Sequence, residues 1–154
     1  MVYNPIYVAN NFMERSFRDK IVVTQMKLQK MLYFLYRDYL KETGERLFPE
    51  HFEAWEYGPA LSMIYNKTKK YGKHLIYEYL KYDDEAMKID ENKDPIFTKN
   101  INNIWAICSH FTGVELCKLT HKEGSAWRIA WSKGERYIDD EDIKNDNIRI
   151  PIKV

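Results

Sequence analysis

No apolar run in this chain approaches the roughly 20 residues that a membrane-spanning helix requires. Glycine (6 residues) and proline (5) are scarce, which argues against a Gly-rich nucleotide cradle and against a low-complexity chain. Two cysteines make no disulfide framework, and that points to a reduced, cytoplasmic protein. The start of the chain, Met1-Val2-Tyr3-Asn4-Pro5, lacks the charged region and apolar stretch of a secretory signal. G-x-S-x-G, H-E-x-x-H and phosphate-loop patterns are all missing. With 24 basic and 23 acidic residues, the chain also lacks the basic footprint of a nucleic-acid binder.

Aromatic residues, by contrast, are abundant: 12 Tyr, 7 Phe and 4 Trp, or 15% of the chain. A length of 154 residues fits a single domain. A chain of that size buries about two-thirds of its unfolded surface without staples. Charge is uneven along it. Residues 1–82 carry 13 Lys/Arg against 9 Asp/Glu, and residues 83–154 carry 11 against 14. Lys67, Lys69, Lys70 and Lys73 form a basic cluster, while Asp83-Asp84-Glu85 and Asp139 to Asp142 are acidic runs read as solvated loops. Neither acidic run has calcium-loop spacing.

The periodicity predicts a mostly α fold, a single compact helical domain with a small β-hairpin or short β element. Asn4-Pro5 opens a first helix bearing Ala9, Phe12, Met13 and Phe17 at helical spacing. Thr24 caps a second, in which Leu28, Met31, Leu32, Leu35 and Tyr39 form a core stripe and Gly44 supplies the stop. Tyr33, Tyr36, Arg37 and Leu40 lie off that stripe, as an aromatic strip that faces a second helix or a partner. The stretch 47–57 reads as short extended pieces, with Gly58-Pro59 as the turn into a third helix. Residues 74–95 read equally as a hairpin or as an exposed lobe. Thr98 is expected to cap a fourth helix, and Thr120 the short helix carrying Trp127. Residues 139–154 read as a C-terminal tail, flexible or an edge strand, in which Ile148, Ile150, Ile152 and Val154 alternate with polar residues and Pro151.

Few residues suggest chemistry. Cys108, His110, Cys117 and His121 invite a zinc reading, but Cys108 and His110 are two apart and diverge on a helix, so core cysteines are the better account. His121 and Glu123 could form an acid–base pair, yet no accompanying signature supplies a substrate. No catalytic residue, cofactor or metal is therefore assigned.

Three ordered groups carry the most information: T-x-x-K-L-Q-K-x-L-Y-F at Thr24–Phe34, A-W-E-Y-G-P at Ala54–Pro59, and L-T-H-K-E-x-x-x-W at Leu119–Trp127. In order, type and spacing they resemble the Panacea domain of SocA-like antitoxins, over about residues 5–145. The departures are Val23, Phe34-Leu35, and Ala126 in place of a proline in a third group one residue longer. The resemblance implies an antitoxin, often carried on prophages, that neutralises a co-encoded toxin by protein binding and in one branch delivers it to a ClpXP-type protease. It also implies a scaffold and interface built from Lys27, Gln29, Lys30, Tyr33, Trp55, Tyr57, Gly58, Pro59, His121, Glu123 and Trp127, with Thr24 and Thr120 as structural motif members. A DNA-binding operon regulator and a His-dependent hydrolase are the alternatives.

Overall fold

Helix α2 (Gln25–Thr43) organises the molecule because nearly every side of it is covered. The computed structural model describes residues 2–153; Met1 and Val154 lie outside them. Thr24 caps α2 by accepting from Lys27 N, and Gly44 ends it at φ 73°, a left-handed conformation that glycine adopts freely. Around α2 pack α1 (Pro5–Asp19), α3 (Ser62–Thr68), α4 (Pro95–Cys108), α5 (Gly113–Thr120) and α7 (Asp140–Lys144). The remaining helix, α6 (Ala126–Ser132), sits against α5, α7 and the hairpin. The mostly α reading holds, with seven α-helices and one two-stranded sheet among the described residues.

Because α2 is enclosed, its polar positions are enclosed too. Lys27, Gln29, Lys30 and Arg37 are buried along with the apolar stripe. The strip expected to face a second helix or a partner meets α7 through Tyr36 and the segment that follows α7 through Tyr33 and Arg37. Tyr33 Oη donates to Asp146 Oδ2 at 2.5 Å, Tyr36 Oη to Asp140 Oδ1 at 2.7 Å, and Arg37 Nη1 to Ile148 O at 2.6 Å. Those contacts hold residues 146–148 in irregular backbone against α2. The edge strand expected near residues 148–154 is therefore not formed among the described residues, and α7 occupies the acidic run instead.

The sheet is a hairpin: β1 (Glu53–Trp55) pairs antiparallel with β2 (Gly58–Ala60), in the register Glu53↔Ala60, Ala54↔Pro59 and Trp55↔Gly58. Glu56-Tyr57 is its two-residue tip. Gly58 and Pro59 belong to β2 rather than to a helix start, and α3 begins only at Ser62. A third extended piece, 136–138, lies along β1 through Ala54 N→Arg136 O (2.8 Å) and Ile138 N→Phe52 O (2.9 Å).

Two expected caps are displaced. Asp94, not Thr98, accepts from Phe97 N and starts α4, with Pro95 at the first helical position where its missing N–H costs nothing. Ser125, not Thr120, accepts from Arg128 N and starts α6. Thr112 and Glu115 form a reciprocal capping box on α5.

Residues 74–95 are an exposed lobe with very little regular structure, draped over α1. Asn10 clasps Leu80 through both its backbone groups (2.8 Å each) and reaches Met87 O (2.7 Å); Asn11 does the same for Ile89 (2.8 and 3.0 Å). At the lobe's outer end Asp83 and Asp84 take positive φ (51° and 62°) between the mutually bonded Tyr82 and Glu85, as a two-residue hairpin turn requires. Among the described residues no helix is long and apolar enough to cross a membrane.

Candidate functional site

The three sequence groups meet at the hairpin, and what they bind there is its main chain. From α2, Lys30 Nζ donates to Pro59 O (3.1 Å), while the Gln29 amide pairs with both backbone groups of Leu61 (2.9 and 3.0 Å). From α5, Cys117 Sγ donates to Tyr57 O (2.9 Å). His121, just past α5, places Nε2 2.7 Å from Glu56 O and Nδ1 2.6 Å from Cys117 O. From α6, Trp127 Nε1 donates to Trp55 O (2.6 Å). The carbonyls of Trp55, Glu56, Tyr57, Pro59 and Leu61 are thus each met by a side chain from a helix or its flank. A two-stranded hairpin of this size is marginal in isolation; here its shape is imposed from outside.

Gly58 explains why the fit is close. Its φ is 108°, and a Cβ there would stand 2.6 Å from Thr120 Oγ1 and 3.0 Å from Lys30 Cε. Glycine lets α2 and α5 close on the strand from both sides. Lys30 meets the strand at an electrostatic cost. Lys30 is 2% exposed, and burial pushes its pKa down to about 8, with the nearby Cys117 opposing the fall slightly. Burial likewise raises the pKa of the Cys117 thiol. A raised thiol with its proton directed at a carbonyl is a poor nucleophile.

Lys27 has a different task. Its ammonium donates to Ser109 O (2.9 Å) at the C-terminal end of α4, where a cation complements the helix dipole. Burial pulls its pKa below the ordinary lysine value. Gly113 sits against it, since a Cβ at that position would be 2.8 Å from Lys27 N.

Of the residues expected to touch a partner, Lys27, Gln29, Lys30, Tyr33, Tyr36, Arg37 and Trp127 are buried, with their polar side chains bonded inside the protein. Tyr57 is 59% exposed at the hairpin tip. Trp55 and His121 are half-buried, and Glu123 lies exposed in the loop before α6. Sequence reasoning passed over Trp131, which is 45% exposed and stacks on Trp127 with ring centroids 5.1 Å apart. The i, i+4 spacing of the two tryptophans was the available signal. On the other flank Trp55 makes an edge contact with the exposed Tyr65 (5.2 Å). Two ring pairs, Tyr65–Trp55 and Trp127–Trp131, therefore flank the hairpin, linked by the bond from Trp127 Nε1 to Trp55 O, and Arg128 lies over Trp127 at 5.5 Å.

Among the described residues no three His, Cys, Asp or Glu side chains gather as a metal ion would need. Cys108 is buried at the end of α4, and burial pushes its thiol up to about 12. The His121 ring is taken up by two carbonyls and by Trp127, whose ring centroid is 3.9 Å away, and Glu123 is exposed.

Comparison with known proteins agrees with the motif trio. The model of the family described as antitoxin SocA-like, Panacea domain, matches residues 28–128. Antitoxin SocA of Caulobacter vibrioides (strain NA1000 / CB15N) is 25% identical over 126 residues, covering 79% of this chain and 67% of that relative. No solved structure matches.

Proposed function

The chain belongs to the SocA-like antitoxin family of Panacea-domain proteins, and on that premise we propose that it neutralises a co-encoded protein toxin by direct binding, without catalysis of its own. The observation that carries this reading is the braced hairpin: four of its carbonyls, and that of Leu61 just past it, are clamped by side chains, while Tyr57 is left exposed at the tip. Bracing lowers the entropy lost on association, and Tyr and Trp are the residues that supply most binding energy at interfaces. Tyr57, with Tyr65, Trp55 and Trp131 around it, is the toxin-facing surface in this proposal. Delivery of the bound toxin to a ClpXP-type protease is a second step suggested by the family resemblance.

Co-expression with the adjacent gene tests it. The neighbour should arrest growth alone and be silenced by this chain. Tyr57→Ala combined with Trp131→Ala should abolish both rescue and co-purification while the protein stays folded, with only the modest loss of stability that one lost ring stack brings. A neighbour that is harmless alone would remove the basis for the antitoxin reading. Rescue retained by the double variant would move the contact away from the hairpin. Rescue that persists in cells lacking ClpXP would leave masking as the whole mechanism.

A further inference from the structure

The three-residue piece 136–138 is the outer edge of the sheet, and its pairing pattern leaves one residue's backbone unused. Ala54 N→Arg136 O and Ile138 N→Phe52 O bracket the facing pair Glu53↔Tyr137. In an antiparallel ladder, a pair bracketed in this way turns its own N–H and C=O away from the neighbouring strand. Both groups of Tyr137 therefore point off the open edge, and neither has a partner among the described residues. Glu135, Arg136 and Tyr137 are all exposed. Arg136, which could guard the edge, is drawn back onto Glu53 (3.0 Å) and over the Tyr137 ring (5.0 Å). The opposite edge of the sheet, along β2, is closed by Lys30 and Gln29.

Beside this edge lies a cavity of about 420 Å³ lined by His51, Glu135, Tyr137, Ile138, Asp139 and Asp140. From residue 135 to residue 142 there are five carboxylates and one arginine. Among the described residues the only other cation placed on them from a neighbouring element is Arg46, 3.4 Å from Asp140; Lys144 pairs with Glu141 within α7. Unpaired edge groups invite an added strand, and the acidic border selects what that strand carries. A second copy of this edge would oppose carboxylate to carboxylate, and a nucleic acid would meet the same repulsion.

We propose that the edge at Tyr137 binds an extended, basic segment of a protein partner as an added β-strand, with its Lys or Arg side chains beside Glu135, Asp139 and Asp140. The site is distinct from the hairpin tip and does not depend on the antitoxin reading, because it is tested with a peptide rather than a toxin.

The test uses fluorescence anisotropy with three labelled nine-residue peptides: alternating Lys and Val, alternating Glu and Val, and the Lys/Val peptide with its central residue replaced by proline. The Lys/Val peptide should bind, the Glu/Val peptide should not, and the proline peptide should be weaker by at least about fivefold, the worth of one lost ladder bond. Amide exchange at Tyr137, followed by NMR, should slow when the Lys/Val peptide is added. Tyr137→Pro, which deletes the edge N–H, should weaken binding to a similar extent, and Glu135→Lys should weaken it further. If Tyr137→Pro fails to fold, the proline peptide against the unaltered protein decides the matter. Equal binding of the two basic peptides, unchanged exchange at Tyr137, or no binding of the Lys/Val peptide at millimolar concentration would each overturn the proposal.

Discussion

The hairpin and the 74–95 lobe are both short of regular hydrogen bonding, and both are held by side chains that reach into their main chain. The hairpin is held from three directions, by Lys30 and Gln29 of α2, by Cys117 and His121 of α5 and its flank, and by Trp127 of α6. The lobe hangs mainly on two neighbouring asparagines of α1, with Arg15 one turn on gripping Glu91 at 2.7 Å and Asn102 at 2.7 Å. The first arrangement is redundant and fixes a surface. The second is economical and fixes only a path. Losing one tie should therefore loosen the lobe locally, while the hairpin tolerates the loss of a hydrogen bond but not of a packing partner.

Trp127→Ala tests the second half of that statement and should have the largest effect. Trp127 is 3% exposed, and it fills the space between His121, Trp131 and the tip end of β1. Truncation of a buried Trp to Ala costs about 3–5 kcal/mol, a large share of a domain's stability. Trp127→Phe keeps most of the volume and loses only the bond to Trp55 O, which costs about 1 kcal/mol. Urea midpoints for the pair separate packing from hydrogen bonding. Equal losses would mean that the bond, not the ring, holds the hairpin.

Asn10→Ala tests the first half. It orphans the buried N–H and C=O of Leu80 together and removes the bond to Met87 O. Each buried group left unsatisfied costs about 1–3 kcal/mol, but the exposed lobe can partly rehydrate, so a total of about 2–3 kcal/mol is expected. Amide exchange should accelerate at Leu80 and Ile89 and stay unchanged at Gly58 and Leu61. Acceleration at all four would show that the two regions are coupled and that the contrast between them is false.

How much of each region could be read beforehand follows from the same contrast. Helices α1 and α2 were legible because Asn4-Pro5, Thr24 and Gly44 announce their ends and the apolar spacing fills the interior. The hairpin was legible as a motif but its use was not. Periodicity identifies one stripe of α2 and says nothing of what covers the other face, so it leaves Tyr33, Tyr36 and Arg37 open to a second helix or a partner, where they bind Asp146, Asp140 and Ile148. The caps at Asp94 and Ser125 were missed because a threonine stood nearby in each case, and only the dihedral angles choose between two competent side chains. The lobe was illegible because its order comes from Asn10 and Asn11, 70 or more residues away in sequence. Nothing in an Asn-Asn pair within a helix announces a distant partner.

Lys30→Met should have the smallest effect and the opposite sign, and it sharpens the comparison most. The lobe's two asparagine ties are neutral amides, whereas this hairpin tie is a cation with a single acceptor, Pro59 O. A folded-state pKa of about 8, below the ordinary lysine value, means that the unfolded chain holds this proton more tightly. The resulting penalty is fully present below pH 8, shrinks as pH rises, and is gone above about 10.5, where both states are neutral. Its size is on the order of 3 kcal/mol, less the roughly 1 kcal/mol that the hydrogen bond returns. Lys30→Met, of similar length and uncharged, should therefore be more stable than the parent by about 1–2 kcal/mol at pH 7. By pH 10.5 the order should reverse, because the neutral amine of the parent still donates to Pro59 O. Urea unfolding of both proteins at pH 7, 9 and 10.5 gives the difference directly, and the other lysines cancel between them. A constant difference across that range would mean that Lys30 is not buried as a cation. A charge kept under the hairpin at a net loss of stability is consistent with a segment held for its position rather than its strength, and faster amide exchange at Tyr57 and Gly58 in the more stable Lys30→Met protein would be the mark of that exchange.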